Sequence, residues 1–181
     1  MSDEKPPWEI LLRVPIFRGF NETECRQMAD VAHVESYVPG EIILKQGDTG
    51  QNLWVMLEGK CEVVRFTDDS HAKQHPLVLA LLEPFSHFGE MSFFHPAPHS
   101  ASVRAQGAVK VLRIARVDYD DMIHEGIGAA YKLAYNSVES LADRLRRMDQ
   151  WVAELASHEP SQEQVPEWTR FRNTLFSGWN L

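Results

Sequence analysis

Cysteine is scarce in this 181-residue chain, which carries only Cys25 and Cys61. Two are too few for a disulfide framework or an iron–sulfur cluster, so both are expected to be reduced structural residues. Positive charge is also in deficit. Lysine and arginine number 18 against 26 aspartates and glutamates, giving a formal net charge of -8 and a pI of about 5.4. That balance argues against a broadly basic surface for DNA or anionic lipid. No apolar run is long enough to span a bilayer, and the acidic opening "MSDEKPPWEILLRVPIF" is unlike a signal peptide. A cytoplasmic protein without a membrane partner is expected. No nucleophile elbow, phosphate loop or zinc-protease spacing occurs, so neither an enzyme nor a catalytic residue is expected.

What is present suffices for one core and an appendage, with 44% hydrophobic residues. Residues 1–34 read as a helical segment. Apolar positions at Ile10, Leu11, Val14, Phe17, Phe20, Met28, Val31 and Ala32 are broken by Pro15 and Gly19, and Asn21 with Glu24 forms a capping-box pair. Residues 35–126 read as β-structure. Short runs such as "EIILKQ", "NLWVMLE", "KCEVVRF", "PLVLALLE" and "AVKVLRI" alternate with turn signals at Pro39-Gly40, Gly47 to Gly50 and Glu58-Gly59. The fold class is therefore mainly β with flanking helices: an antiparallel β-roll of jelly-roll type, closed to hide its edges. "TDDSHAKQHP" reads as an exposed hairpin loop, and Val117 to Glu125 as a short helix stopped by Gly126 and Gly128.

Residues 127–156 form a long coiled-coil-like helix. Its seam alternates steps of four and three, with Tyr131, Val138, Leu145 and Val152 at a and Ile127, Ala134, Leu141, Met148 and Leu155 at d. A parallel homodimer through Val138, Leu141, Leu145, Met148 and Val152 is the expectation, against a helix lying on its own β-domain. Arg144 and Asp149 take g and e places suited to an interchain pair. Residues 157–181 are a polar linker and an aromatic tail, Trp168, Phe171, Leu175 and Trp179. The tail either docks on its own domain or anchors an effector protein through residues 168–179.

The stretch "FGEMSFFHPAPHSASVR", residues 88–104, joins a Gly-Glu helix start to a proline-rich loop and a small-residue run. Its free helix-start N–H groups suit an anion. His71, His75, His87, His95 and His99 invite a metal, but the first pair sits in a loop and Pro96 and Pro98 separate His95 from His99, so no helix face presents them. No metal or other cofactor is expected.

These residues, together with "VPIFRGF" and "VPGEIILKQGDTGQNLWVMLEGKCEVV", resemble the cyclic nucleotide-binding domain, especially that of the bacterial catabolite activator. The resemblance covers about Leu11 to Leu155. It implies that residues 88–104 are the phosphate-binding cassette, with Phe88, Gly89, Glu90, Met91, His99, Ser100 and Ala101 around a cyclic nucleotide such as cyclic AMP or cyclic GMP. Glu90 by resemblance accepts from the ribose 2′-hydroxyl, Gly89 leaves room for close approach, Ser100 contacts the phosphate and Ala101 brings its N–H near it. His99 stands where such proteins usually carry arginine, which costs a charge-assisted hydrogen bond, on the order of 1.5–3 kcal/mol. Arg104, five residues on, matches a basic residue that points outward.

Aligning "RLRRM" with similar segments of that family implies that Met148 and Asp149 lie near the base, Asp149 serving there or in the pair with Arg144. Too few residues follow Leu155 for the winged helix of DNA-binding relatives, so signalling through another protein rather than DNA is expected. Two alternatives stand beside this sensor: a degenerate dimeric scaffold without nucleotide, and a sensor of cyclic dinucleotides.

Overall fold

The computed structural model describes residues 5–66 and 76–157. Most of the "TDDSHAKQHP" loop, with its histidine pair, and the whole aromatic tail lie outside the described residues. Pro15 cannot donate the N–H of a continuous helix, and the entry segment divides into two 3-10 turns, Trp8–Arg13 and Pro15–Phe17. Their apolar side chains Leu11, Val14, Ile16 and Phe17 are buried. Helix α1, Glu22–Val31, opens on the capping box: Glu24 N donates to Asn21 Oδ1 at 2.9 Å and Asn21 N to Glu24 Oε2 at 2.8 Å.

α1 runs without a loop into β1, Ala32–Tyr37, so the helical segment ends at Val31 rather than at residue 34. The sequence pattern does not announce this strand. Its ladder comes from far along the chain, where Ala32 opposes Ile114 and Tyr37 opposes Val109 on β8, Val109–Ala115. Between them lie β2 (Ile42–Leu44), β3 (Asn52–Glu58), β4 (Cys61–Arg65), β5 (Leu77–Leu82), β6 (His87–Phe88) and β7 (Ser102–Ala105). The strands form two antiparallel sheets, β1-β8-β3-β6 and β2-β7-β4-β5.

Pairing is thus nested, first with last, as in the expected jelly roll. The edges, however, are not abolished. β1, β6, β2 and β5 border their sheets; β6 and β2 are blunted by their shortness, whereas β5 keeps Leu77, Val78, Leu79 and Leu81 exposed.

β3 shows how alternation divides the interior. Leu53, Val55 and Leu57 join Leu112 and Ile114 under the helices, with Leu11, Phe17, Met28, Phe93 and Leu133. Trp54 and Met56 face the other way, into the space between the sheets, with Phe88, Leu44, Cys61, Val103 and Val111. Cys25 and Cys61 are both free and buried. Burial pushes the Cys61 thiol up to about 11 and raises that of Cys25, which makes both unreactive.

Helix α3, Arg116–His124, follows β8 directly, and Gly126 at φ +72° ends it in the left-handed region. Helix α4, Gly128–Ser157, contributes residues to two compact units, the first ending at Val138 and the second beginning at Glu139. Within the first unit it packs through Ala129, Ala130 and Leu133, all fully buried. Asn136 Nδ2 donates to the carbonyls of Ile16 (2.8 Å) and Arg18 (3.0 Å), and Lys132 Nζ reaches Gly19 O and Glu24. These bonds tie the helix start to the entry turns. Ile127 precedes the helix, bonds its N–H to Met122 O and packs on the core, so it is no part of the seam. Tyr131, Tyr135 and Val138 are exposed, as are Leu145, Met148 and Trp151 in the second unit.

Candidate functional site

The segment that resembles the cassette is aimed by the turn before it. Ser86 N donates to Glu83 O at 3.0 Å across Pro84 and Phe85, and Phe85 sits at φ +71°, a left-handed value unusual for an aromatic residue. The guanidinium of Arg13 lies 4.5 Å from its ring centroid. β6 then pairs with β3, Trp54 opposite Phe88, and the two rings stack with centroids 5.5 Å apart and planes within 6°. Phe88 is 5% exposed and belongs to the core between the sheets; it supports the site from within.

Gly89 carries φ +86°, and a Cβ there would lie 2.6 Å from Asn52 O and 2.7 Å from Trp54 Cε3. The room that glycine leaves on that side is filled by the protein's own indole. Helix α2, Glu90–Phe94, starts immediately after it. Glu90 in its first turn is 2% exposed, whereas Met91 is 62% exposed. The other end of α2 is capped by side chains from elsewhere. Gln51 Nε2 donates to Ser92 O at 3.2 Å, and Arg116 NH1 to Phe93 O at 2.6 Å, so the β2–β3 loop and α3 both grip this short helix.

From α2 the chain crosses through Pro96 and Pro98 to His99, whose backbone is pinned on both sides: His99 N donates to Asp48 O, and Gly47 N to His99 O, each at 2.9 Å. The imidazole is 8% exposed. Its Nδ1 lies 2.8 Å from Ser92 Oγ, and Nε2 lies 3.7 Å from where a Cβ on Gly50 would be. Burial lowers the His99 pKa from its ordinary value, and the Asp48 charge partly opposes this. Ser100 is exposed and Ala101 buried; Ser102 Oγ accepts from Gln46 N at 2.9 Å, fastening the loop to β2's end.

Arg104 is engaged elsewhere. Its Nε donates to Glu62 Oε1 at 2.7 Å, and Glu62 is its direct cross-strand neighbour on β4. Met148 and Asp149 belong to the second compact unit. Among the described residues no group of three histidine, cysteine, aspartate or glutamate side chains gathers to hold a metal.

The structure thus brings Gly89, Glu90 and His99 into one framework with four residues that sequence reasoning did not single out: Ser92, Gln51, Trp54 and Arg116. Ser92 had a signal, being a serine inside the apolar helical run "MSFF", where a hydroxyl needs a partner. The others have none, because their roles arise from contacts across the fold.

Residues 34–126 match the family model of the cyclic nucleotide-binding domain. The chain belongs to that family. It is 32% identical over 151 residues to the cyclic AMP receptor protein of Thermus thermophilus, covering 83% of this chain and 66% of the relative. It is 31% identical over 109 residues to the cAMP-dependent protein kinase regulatory subunit of Dictyostelium discoideum, covering 60% and 33%. Among solved structures, the Thermus thermophilus catabolite activator protein superposes with a TM-score of 0.68 at 31% identity, covering 78% of this chain and 63% of that one. The chain spans a third of the kinase subunit's length and less than two thirds of the Thermus protein's. No described helix is long and apolar enough to cross a membrane.

Proposed function

We propose that this protein is a cyclic-nucleotide sensor whose cassette, residues 88–104, holds the ligand's phosphate and ribose, with cyclic AMP or cyclic GMP as ligand. The observation that carries this reading is the convergence of Gly89, buried Glu90, His99 and Ala101 on one short helix and loop, braced by the β2–β3 loop and α3. Ser100 and Met91 complete the proposed contact set from the exposed side, and Met148 and Asp149 are the proposed base-side residues. The protein acts as a binding module rather than an enzyme, as a homodimer through the exposed seam of α4. Its signal passes to a protein partner in the cytoplasm, with residues 168–179 as the proposed contact; a net charge of -8 disfavours a nucleic-acid backbone as that partner.

A scaffold that binds no nucleotide is the second reading. It is favoured by His99, which replaces a permanent charge with a buried imidazole already engaged by Ser92. Calorimetric titration with cyclic AMP, cyclic GMP and cyclic dinucleotides separates them. Saturable heat with one mononucleotide supports the sensor, a cyclic dinucleotide alone redirects the specificity, and no heat at millimolar ligand leaves the scaffold.

A further inference from the structure

We infer that Ser92 is a positioning residue of the cassette: its hydroxyl fixes the tautomer of His99, so that the imidazole grips a phosphate only after taking up a proton at Nε2. The inference rests on the reading of the cassette as a phosphate site. Ser92 Oγ stands 2.8 Å from His99 Nδ1 and 3.2 Å from Gly89 O, to which it donates. A hydroxyl has one proton. With that proton on the Gly89 carbonyl, the only arrangement that satisfies both contacts has His99 Nδ1–H donating to Ser92 Oγ. Ser92 is 4% exposed and His99 8% exposed, so water is a poor substitute for either bond.

The consequence lies at the other nitrogen. Neutral His99 then carries a lone pair on Nε2, beside Gly50, and a lone pair repels a phosphate oxygen. Protonation converts Nε2 into a charged donor. The charge bearing on the ring is Asp48 of the β2–β3 loop. α2 contributes the Ser92 hydroxyl and carries Glu90, and the cassette loop carries His95. An arginine in this place would need no such proton, so the serine and histidine together make occupancy depend on acidity.

The test uses full-length protein labelled with 15N-histidine, as wild type, Ser92→Ala and Ser92→Thr, in two-bond 15N–1H spectra without ligand and in calorimetry with cyclic AMP from pH 5.5 to 8.5. Wild type and Ser92→Thr are expected to show neutral His99 protonated on Nδ1, and Ser92→Ala to shift it to Nε2–H, the form that a free imidazole prefers. Cyclic AMP affinity should fall roughly tenfold per pH unit above the His99 titration in wild type, with one proton absorbed per ligand, and Ser92→Ala should flatten that slope because Nε2–H donates without a charge. Neutral wild-type His99 protonated on Nε2, an unchanged tautomer in Ser92→Ala, or a flat wild-type pH profile overturns the inference. If cyclic AMP binds at no pH while Ser92 still controls the tautomer, the nucleotide reading fails and the role of Ser92 in setting the tautomer stands.

Discussion

The indole of Trp54 occupies the place where Gly89 would carry a side chain: a Cβ there would lie 2.7 Å from Cε3 and 2.8 Å from Cζ3. The same indole stacks on Phe88, so the strand before the cassette, the glycine and the ring form one packed unit. Gly89→Ala must place a Cβ at φ +86° and push Trp54 or the Asn52 carbonyl aside. The left-handed backbone and the overpacking together should cost roughly 2–4 kcal/mol, read as a lower urea midpoint. An unchanged midpoint would show that the indole moves aside freely.

Arg104 and Glu62 face each other across β7 and β4 as a partly buried pair. That pairing holds the guanidinium on the sheet, so Arg104 is not free to supply a charge to the proposed phosphate site. Arg104→Ala should lower stability by about 0.5–1 kcal/mol, the scale of a cross-strand ion pair with one partner about a third exposed. Nucleotide affinity measured by calorimetry should stay within about twofold of wild type, a difference under 0.5 kcal/mol. A tenfold loss would assign Arg104 to the ligand.

His99→Arg tests the proposed phosphate grip directly. A guanidinium keeps its charge across the working pH range and offers several donors, so affinity for cyclic AMP at pH 7.5 should rise roughly 10- to 150-fold and its pH dependence should vanish. His99 should also shape acid stability, which His99→Gln tests. His99 is held below its ordinary pKa by burial, so the unfolded chain binds its proton first. Stability from this group is therefore present above the ordinary imidazole range near pH ~6.5 and is lost as pH falls through the lower folded value. Thermal melts between pH 7 and 5 should decline less steeply in His99→Gln than in wild type; parallel declines would remove His99 from the acid response.

Much of this architecture can be read from local pattern, and the limits have a physical cause. The Asn21–Glu24 box, the Gly126 stop and the strand runs are local signals, and all three appear where expected. β1 is not legible because α1 flows into it without punctuation, and its identity depends on β8 at the far end of the roll. Nested pairing is a tertiary choice of the same kind. At the candidate site, the Gly-Glu start and the short helix stand out in the sequence, whereas the Ser92–His99 bond, the Arg116 cap and the Trp54 contact join residues 7, 23 and 35 positions apart and become visible only in the folded chain.

The seam of α4 carries the last prediction. In the first unit the helix buries Ala129, Ala130 and Leu133 and leaves Tyr131, Tyr135 and Val138 exposed; in the second, Leu145 and Met148 are exposed and Leu141 and Val152 partly so. A single chain therefore leaves the a and d positions Val138, Leu141, Leu145, Met148 and Val152 without full cover, which a second copy in parallel would supply. Each leucine enters such a seam twice. Replacing Leu141 or Leu145 by aspartate should weaken association by roughly 3–6 kcal/mol per dimer, two to four powers of ten in Kd. Sedimentation velocity should find wild type dimeric and either variant monomeric, with circular dichroism showing the roll intact. A dimer that survives Leu145→Asp would move the interface off this seam.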